Sequence, residues 1–559
     1  MNEYIILNKN QCKNCYKCIR NCPVKSIEFT THQAKVVPGE CILCGRCYVH
    51  CPQNAKEISS DLEKVKVLLQ QKEKVIVSIA PSFIANYDGV DIDVLRELLI
   101  ELGFYDVEET AIAAEWVKDS YQDYLEQYQP SILITSACHS VNLLIQKYYP
   151  DLLEYLVPVK SPMQAHGQDI KTRYQDAAVV FIGPCISKKD EADSYPGFID
   201  AVLTFDELSM MIQEKGMSFN QYKNGDKDDE PFKSRFFPTN GGIIKSLNHY
   251  NDDIHYLSID GVERCMATLD DIRKGNLTHC FIEMSACEGS CVGGPIMEKH
   301  HKTPLRDYLR IVDYAGEHNL GRKTSKSLTK YFMPITKKRN EPTIEEISSI
   351  LKQMGKNNPM DELNCGSCGY NTCREKALAI HQGKADFTMC LPFLKERAES
   401  FFHNILDHTP SGIIVLNEQL EIQQFNKMAK RIFNIHHRRD ILGEKIFNIL
   451  NHKDLEDILH KHTQVNHKNV YLAEYKKTVK ETIVYDDNYR ITMIIIDDIS
   501  QEIINRKNKV LMSKQTIEVT DQVVEKQMRI VQEIASLLGE TAAETKIALT
   551  HLKEQILDE

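Results

Sequence analysis

The sequence predicts a multidomain α/β protein built around metal-binding cysteines. Its 559 residues correspond to roughly three to four domains, and its 18 cysteines fall mostly in clusters. Short apolar runs alternate with amphipathic helical stretches. Apolar residues make up 42% and charged residues 26% of the chain. This composition excludes disorder, collagen and a disulfide-dense miniprotein as descriptions of the whole chain.

Charge and hydropathy limit the partners and the location that we expect. The net charge of −11 gives the chain no electrostatic reason to bind nucleic acid or anionic lipid. No window reaches the ~18 consecutive apolar residues of a membrane span, and the N-terminus lacks the pattern of a signal peptide. We therefore expect a cytoplasmic protein. Because cytosolic thiols are kept reduced, clustered cysteines indicate metal ligands or catalytic thiols.

The first 60 residues contain two copies of one cysteine motif, each followed by a proline, and the second copy lies 29 residues after the first. This is the spacing of bacterial two-cluster ferredoxins, in which the fourth cysteine of each run ligates the other cluster. We predict a ferredoxin-like α+β module over residues 1–60 with two [4Fe–4S] clusters. The first is held by Cys12, Cys15, Cys18 and Cys51, and the second by Cys41, Cys44, Cys47 and Cys22. Zinc, which also binds four thiolates, is the alternative.

After a charged helical connector at 61–74, the pattern of apolar and polar residues becomes that of an α/β domain. A buried-strand run starts at Val75, and an amphipathic helix from Leu95 ends near Gly103. Three further apolar runs, at 131–138, 177–185 and 278–287, each end at a cysteine. Strands that alternate with helices predict a mainly parallel sheet, whose ligands bind beyond the carboxyl ends of the strands. Three strand ends that each deliver a thiolate favour a buried cofactor.

Four segments that follow the ferredoxin motif, TSACHS, GPCISKKDEA, NGGIIKSL and SACEGSCVGG, resemble the catalytic domain of [FeFe]-hydrogenases. The resemblance covers residues 75–335, with APS at 80–82 and KSP at 160–162 as matching flanks. It implies a cubane on Cys138, Cys185, Cys287 and Cys291, of which Cys291 also bridges to a diiron unit with CO, cyanide and dithiolate ligands. It further implies that the cyanides are surrounded by Pro81, Ser82, Ser161, Pro162 and Lys188. A lysine ammonium and a serine hydroxyl can donate hydrogen bonds to such anionic ligands.

The chain departs from the family pattern at a position that matters for catalysis. Ala137 stands where the family usually has the cysteine that passes protons to the amine over the diiron unit. Alanine carries no proton, and a general acid–base group contributes typically 10²–10⁴-fold, so we expect slow turnover without loss of the cofactor. Glu115 and Asp119 offer acidic residues only in a changed register. Cys265 and Cys280 match no ligand position and are expected to be buried free thiols or substitute proton carriers.

A third cysteine run, Cys365, Cys368, Cys373 and Cys390, is followed by Pro392. Three close thiolates and one distant one suit a further cubane, with zinc as the rival. The stretch resembles the small [4Fe–4S] domain of some iron–sulfur signalling proteins. We predict a small helical domain over 340–395, in which a helix at 342–355 packs against a helix that follows Cys373.

The remaining chain has no cysteine and predicts a sensor domain followed by helices. HTPSGIIVLN, FNKMAKRIF and IIIDDIS resemble an α+β PAS domain over 400–502, with two strands joined at Glu418-Gln419 and a helix that begins at Asn426. With no histidine placed for haem and no cysteine for flavin, we expect this domain to be empty or to mediate dimerisation. In the tail, 505–559, apolar residues recur in seven-residue steps, as in a coiled coil. Gly539 predicts a helix stop, and Thr541 with Glu544 predicts a capping box that opens a second helix.

Together these features predict a sensory [FeFe]-hydrogenase that oxidises hydrogen slowly and reversibly. Its redox state would pass through the [4Fe–4S] clusters and the PAS domain to a signalling partner. The expected partners are hydrogen and protons, a redox protein such as ferredoxin, a kinase or phosphatase on another chain, maturation proteins for the diiron unit, and a second copy of the chain. The alternatives are a metabolic ferredoxin-dependent hydrogenase and a non-catalytic redox switch without the diiron unit.

Overall fold

The computed structural model describes residues 3–30, 33–222, 231–300, 303–336, 341–435, 441–450 and 466–557. The chain divides into two compact units, Met1–Leu394 and Lys395–Glu559. The first unit contains every cysteine of the sequence. In the described part of the chain, no helix combines the length and the apolar character needed to span a membrane.

The N-terminal module is the predicted α+β module with an internal duplication. Two antiparallel strand pairs form its sheets: β1 (Ile5–Leu7) with β4 (Lys56–Ile58), and β2 (Ile27–Thr30) with β3 (Gln33–Val36). Two single-turn helices, α1 (Lys17–Arg20) and α2 (Arg46–Val49), each carry the third cysteine of a run. The residue before each helix, Tyr16 or Gly45, has a left-handed backbone that turns the cysteine loop into the helix. The predicted connector follows as α3 (Leu62–Gln71).

The α/β domain contains two parallel sheets where we expected one. The four-stranded sheet has the order β6–β5–β8–β9, with β5 (Val75–Ile79), β6 (Asp106–Glu109), β8 (Ala178–Gly183) and β9 (Ala201–Thr204). The three-stranded sheet has the order β10–β11–β7, with β7 (Ile132–Ile134), β10 (His255–Asp260) and β11 (Cys280–Ser285). All neighbouring strands are parallel. One sheet would line up all strand ends along one edge, whereas two sheets let their ends enclose a cavity.

Helices connect these strands, as parallel neighbours require. The predicted helix before Gly103 is α5 (Ile92–Glu101). The other helices of the domain are α4 (Phe83–Asn86), α6 (Ala111–Tyr128), α7 (His139–Tyr148), α8 (Pro162–Arg173), α9 (Ser187–Ser194), α10 (Phe205–Glu214), α11 (Gly242–Ser246), α12 (Val262–Arg273), α13 (Pro295–His300) and α14 (Pro304–Tyr314). Every residue of β5 and β8 is buried, so the sheet is a rigid base for the loops at its ends.

The small helical domain follows, and its two predicted helices pack together. They are α15 (Ile344–Gln353) and α16 (Cys373–His381). A capping box between Thr343 and Glu346 begins α15, with both reciprocal hydrogen bonds present. The next helix, α17 (Leu391–His408), begins directly after Cys390.

The second unit contains the predicted PAS-type α+β domain. Its antiparallel sheet has the order β13–β12–β16–β15–β14. The strands are β12 (Gly412–Leu416), β13 (Ile422–Phe425), β14 (Asn466–Leu472), β15 (Lys477–Asp486) and β16 (Ile491–Asp498). The helix α18 (Lys427–Ile432) is capped by the Asn426 side chain, which accepts a hydrogen bond from the Ala429 N–H. The predicted strand pair and helix start are therefore confirmed.

The C-terminal tail is one continuous helix, α19 (Ser500–Leu557), and the prediction of two helices was wrong. Gly539 keeps a helical backbone, and a glycine inside a helix costs only about 1 kcal/mol relative to alanine. The Thr541 hydroxyl does not cap a new helix but donates a 2.7 Å hydrogen bond to the Leu537 carbonyl. Local stop signals are weak because helix propagation on both sides outweighs them.

Candidate metal centres and active-site cavity

The structure brings the cysteines of the N-terminal module into two groups. Burial raises the pKa of the Cys41 thiol to about 11, and the charge of Cys22 contributes to the rise. Cys22 also contributes to the raised pKa values of Cys44 and Cys47, for which burial is again the main cause. Burial raises the pKa of Cys18 to about 11 as well, and there Cys51 and Cys12 contribute. The first group therefore includes Cys12, Cys18 and Cys51 and the second includes Cys22, Cys41, Cys44 and Cys47, so the last cysteine of each run lies with the other run.

Backbone amides point at several of these sulfur atoms. The Leu43 N–H donates to Cys41 Sγ at 3.3 Å, the Ser26 N–H to Cys22 Sγ at 3.3 Å and the Ala55 N–H to Cys51 Sγ at 3.2 Å. Such hydrogen bonds stabilise a thiolate and help set the reduction potential of a cluster bound to it.

Four thiols from separate parts of the α/β domain converge in the same way. Cys138 follows β7, Cys185 follows β8 and Cys287 follows β11, while Cys291 lies in the helical turn Ser290–Gly293. Burial raises the pKa of Cys291 to about 12, and the charges of Cys185 and Cys138 contribute. Burial also raises the pKa of Cys287, with contributions from the same two thiols and from Cys291. The four predicted ligands therefore lie together.

A cavity opens beside these thiols. Strand ends from both sheets form its walls, including Thr110 after β6, Ala137 after β7 and Glu283 on β11. Cys138, Cys185 and Cys291 line it as well. Cys291 is exposed to this space while protein surrounds it on its other sides. The cavity is the position at which a further group attached to Cys291 would lie.

Four of the predicted cyanide-surrounding residues line the cavity: Pro81, Ser82, Pro162 and Lys188. Ser82 is fully buried, and its hydroxyl has no hydrogen-bond partner in the structure. A buried hydroxyl without a hydrogen-bond partner costs free energy. An anionic ligand in the cavity would remove this cost by accepting a hydrogen bond from Ser82. The residues present therefore fit the diiron unit that the resemblance implies.

Lys188 is held as a charged donor at the cavity wall. Its Nζ donates to the Ala137 carbonyl at 3.1 Å and to Glu191 Oε2 at 2.5 Å. Burial alone would lower the pKa of Lys188, but Glu191 and the Cys185 thiolate raise it above its usual value. Glu191 also pairs with Lys330 at 2.7 Å, and the two lysines hold the pKa of Glu191 well below its usual range despite burial.

Ser161, the fifth predicted residue, has a different local role. Its hydroxyl accepts a hydrogen bond of 3.4 Å from the Gln164 N–H and caps α8, and the side chain is fully buried. The KSP segment thus positions Pro162 at the cavity by starting a helix there.

The two acidic residues considered as proton carriers are bonded elsewhere. The Glu115 carboxylate accepts hydrogen bonds from the Leu320 and Gly321 N–H groups, at 2.9 and 2.8 Å. Asp119 accepts one from Asn248 Nδ2 at 3.0 Å. Cys265 and Cys280 are buried free thiols, as expected; Cys265 Sγ donates to the Ser285 carbonyl at 3.4 Å.

Glu283 is a cavity residue that the sequence reading missed. It is 3% exposed, and burial raises its pKa to about 7 against the hydrogen bonds it accepts from backbone amides at the start of α11. The Ile244 N–H is one of these donors, at 3.0 Å. The available signal was a glutamate inside the apolar run CFIEMS, which is unusual for a buried strand.

A chain of hydrogen bonds leads from the cavity wall toward the surface. Thr110 lines the cavity, and its hydroxyl lies 2.8 Å from Ser78 Oγ, which lies 2.8 Å from His166 Nδ1. His166 Nε2 lies 3.2 Å from Glu108 Oε2, and Arg173 donates to both oxygens of Glu108. Burial opposes ionisation of Glu108, but His166 and Arg173 hold its pKa at about 2.

The cysteines of the third run also lie together. Cys365, Cys368, Cys373 and Cys390 line one pocket of about 350 Å³, with Tyr370 and Lys376 in its wall. Lys376 is fully buried, and burial lowers its pKa against the charges of Cys368 and Cys390. A buried ammonium beside four thiols favours an anionic metal–thiolate group.

Four family models match consecutive parts of the chain. "Iron only hydrogenase large subunit, C-terminal domain" matches residues 73–255 and 245–295. Residues 73–295 are thus similar to an iron-only hydrogenase C-terminal domain. A "4Fe-4S dicluster domain" matches residues 4–52, a "Putative Fe-S cluster" 360–392 and a "PAS fold" 400–485.

The curated relatives are distant and include hydrogenases and an iron-sulfur assembly protein. The periplasmic [Fe] hydrogenase large subunit of Nitratidesulfovibrio vulgaris is 26% identical over 387 residues, which is 56% of this chain and 91% of that protein. Iron hydrogenase 1 of Clostridium pasteurianum is 25% identical over 52% of this chain, and the match spans 64% of that protein, just under two thirds. Cytosolic iron-sulfur assembly component 3 of Rattus norvegicus is 21% identical over 50% of this chain and 75% of its own length.

A variant of [FeFe]-hydrogenase HydA1 from Chlamydomonas reinhardtii is 17% identical and covers 50% of this chain and all of its own, with a TM-score of 0.36.

We predict that Glu283 titrates near neutral pH. Because burial raises its pKa to about 7, its carboxyl should be protonated at mildly acidic pH and ionised at mildly alkaline pH. Infrared difference spectra between these conditions should show loss of a protonated-carboxyl band in the native protein and not in Glu283→Gln. Glu115→Gln, which removes another carboxylate that accepts hydrogen bonds from backbone N–H groups, should keep the band. Persistence of the band in Glu283→Gln would assign it to a different group.

Proposed function

We propose that the protein is a hydrogen sensor whose slow, reversible hydrogenase reaction sets the redox state of its [4Fe–4S] clusters. The observation that carries this proposal is the cavity beside Cys138, Cys185, Cys287 and Cys291, with Ser82 and Lys188 as donors in its wall. The four cysteines would hold a cubane, and Cys291 would bridge to the diiron unit. That unit supplies the chemistry by which H2 gives two protons and two electrons.

The chain's own residues then have to remove the protons. At Ala137 the cavity wall has no group that can carry a proton. The hydroxyls of Thr110 and Ser78 and the imidazole of His166 form a hydrogen-bonded route toward the Glu108 carboxylate. A proton leaving along it must pass through two hydroxyls before it reaches an ionisable group. The missing carrier at Ala137 is the feature that supports slow turnover and not a rapid metabolic rate, while the ionisable Glu283 in the same wall accepts hydrogen bonds from backbone amides.

The electrons would leave through the ferredoxin module and the C-terminal cluster. The extra cluster domain and the PAS-type domain have no evident use in an enzyme that only makes or consumes hydrogen, and they support a signalling role. We propose a ferredoxin-type redox partner, a kinase or phosphatase on another chain as the output, and maturation proteins that deliver the diiron unit in the cytoplasm. The identity of the output protein rests on the family resemblance alone.

Two other functions differ from this proposal in one observable each. A metabolic hydrogenase would need fast turnover, which Ala137 disfavours. A non-catalytic redox switch would have cubanes and no diiron unit, and the similarity to an iron-sulfur assembly component favours it as the second candidate.

Infrared spectroscopy tests the diiron unit directly. Anaerobically purified protein, produced together with the maturation machinery, should show CO and cyanide stretching bands. Cys291→Ser, which removes the proposed bridging sulfur, should lose them while it keeps the iron of the other clusters. Absence of the bands from the fully matured native protein would exclude both hydrogenase functions and leave the redox switch.

Restoring a thiol at position 137 tests the proton argument. Ala137→Cys places a proton carrier on the cavity wall, so hydrogen turnover should rise by about 10² or more. Ala137→Val also enlarges the side chain but carries no proton and should not raise turnover. Equal rates in the native protein and in Ala137→Cys, with unchanged infrared bands, would show that another step limits the reaction.

The long helix supports a homodimer. Val524, Val531 and Leu538 are spaced seven residues apart on α19 and are 54%, 58% and 64% exposed, with Met528 between them at 57%. We propose that this stripe packs against the same stripe of a second copy as a coiled coil. Val531→Lys should convert the dimer into a monomer in sedimentation experiments, and Gln522→Lys, which adds the same charge outside the stripe, should not. A native protein that sediments as a monomer would refute the dimer.

A further inference from the structure

The C-terminal cluster domain is docked on the ferredoxin module at the segment between Cys18 and Cys22. Gly369, next to Cys368, lies so close to this segment that a Cβ atom there would be 3.0 Å from Ile19 Cγ2. The same glycine has a φ of +93°, which a side chain would also disfavour. Arg20 Nη2 donates to the Ser367 carbonyl at 3.2 Å. The loop that carries two ligands of the third run therefore touches the chain that leads to Cys22.

Lys25 is the side chain that joins the two sites. Its Nζ donates to the carbonyls of Ile19 at 3.3 Å, Arg20 at 3.2 Å and Gly369 at 3.0 Å. Burial lowers the pKa of Lys25, and the charges of Cys22 and Cys368 both oppose this effect. A single ammonium thus lies within electrostatic reach of one thiol from each site.

A second contact holds the same two parts together beside Cys41. Lys384 forms an ion pair with Glu40, and both side chains are 9% exposed. The Lys384 carbonyl also accepts a 2.7 Å hydrogen bond from the Phe29 N–H. Because a buried ion pair is costly to break, this contact fixes the small domain against the ferredoxin module.

The second ferredoxin group also borders the hydrogenase domain. Gly45, next to Cys44, is packed so tightly that a Cβ would lie 2.5 Å from Pro295 Cβ and 3.0 Å from Ile186 Cδ1. Ile186 follows the proposed ligand Cys185 directly. The group of Cys22, Cys41, Cys44 and Cys47 therefore has the hydrogenase site on one side and the C-terminal site on another.

We propose that the second ferredoxin cluster is a branch point. Electrons would pass from it either to the first ferredoxin cluster or directly to the C-terminal cluster. Lys25 lies between the second ferredoxin cluster and the C-terminal cluster. This inference rests on the proposed function for the source of the electrons. A cluster held by Cys22, Cys41, Cys44 and Cys47 would lose one electron in this step, and a cluster held by Cys365, Cys368, Cys373 and Cys390 would gain it. No bond or proton changes place.

The competing arrangement is a linear series in which the first ferredoxin cluster stands before the C-terminal one. Tyr16, between Cys15 and Cys18, packs edge-on against Phe29 at a ring-centroid distance of 5.0 Å, and the Phe29 N–H donates a hydrogen bond to the Lys384 carbonyl of the small domain. The loop of the first cluster therefore borders the same domain. The two arrangements differ in which ferredoxin cluster the C-terminal cluster senses.

Electron paramagnetic resonance separates them in protein produced without the diiron unit. In the fully reduced protein, the spin of the C-terminal cluster should be magnetically coupled to a neighbouring cluster. Cys44→Ser, which disables the second cluster, should remove this coupling, and Cys15→Ser, which disables the first, should leave it. Coupling that is lost in Cys15→Ser and kept in Cys44→Ser would establish the linear series and overturn the branch.

Variants of Lys25 keep the test decisive if a cysteine variant does not assemble. Lys25→Met removes the shared positive charge, so the reduction equilibria of the second and the C-terminal cluster should both shift by about tenfold toward the oxidised forms. Lys25→Arg should restore most of the native values. Lys17→Met, which removes a charge from an exposed position of α1, should change neither, because solvent screens it.

Unchanged midpoint potentials in Lys25→Met, or a shift of the first cluster alone, would overturn the proposal. This outcome is distinct from failure of the proposed function, which the CO and cyanide bands of the matured protein report. The branch can exist in a protein that never carries the diiron unit, and a working hydrogenase can have a linear series of clusters.

Discussion

A buried cysteine that loses its proton leaves an uncompensated charge in a medium that solvates charge poorly. Burial raises the pKa of Cys41, Cys287 and Cys291 above the usual thiol range, so these side chains can be thiolates only around a positive centre. A metal cluster supplies that centre, and its binding free energy then stabilises the fold. The two parallel sheets, their loops and the docked ferredoxin module all serve to bring such thiols together from distant parts of the chain.

The same constraint governs the charged residues near the thiols. Lys188 faces the cavity, and its charge is maintained by Glu191, whose other oxygen pairs with Lys330. Removing Glu191 would leave both ammonium groups without their carboxylate partner. Lys376 beside the third run is a buried ammonium group, and Lys25 beside Cys22 is a half-buried one. The charge of the buried Lys56 opposes the rise in the pKa of Cys18 in the first ferredoxin group. Positive side chains therefore accompany all four thiol groups, as expected if each group carries net negative charge when it is filled.

How far the sequence could predict this structure depended on whether each feature is local. The cysteine runs were informative because ligand spacing is a property of a few consecutive residues, and the exchange of Cys22 and Cys51 between groups follows from the same motif. Apolar runs that end at a cysteine located three strand ends. The split into two sheets depends on the pairing of β7 with β11 in preference to β8, which no local pattern encodes. The predicted helix stop at Gly539 was wrong because the helix on either side outweighs the local cost of a glycine, which is about 1 kcal/mol.

Residues whose importance comes from their neighbours were the ones that sequence reasoning missed. In the sequence, Glu283 is only a charged residue in an apolar strand. In the fold, backbone amides at the start of α11 donate hydrogen bonds to its carboxylate. Ser161 looks like a cavity donor until its hydroxyl caps α8. Lys25 is one lysine among many in the sequence, and only the fold places it against both Ile19 and Gly369. Each case needs the positions of at least two other segments.

Ala137 provides no proton carrier, yet the chain has every proposed cluster ligand. These two features agree if the protein responds to the fraction of its clusters that are reduced and not to the rate at which it converts hydrogen. A metabolic enzyme gains from each increment of turnover, so a missing carrier is a direct cost. A sensor needs only that hydrogen shifts the populations of oxidised and reduced clusters, and an equilibrium shift of this kind depends on free-energy differences and not on rates. Slow exchange still reaches the same populations, while it consumes little hydrogen. Cys390, the last proposed ligand of the C-terminal cluster, directly precedes α17. A change in the redox state of this cluster would therefore occur beside the start of the helix that leads to the PAS-type domain.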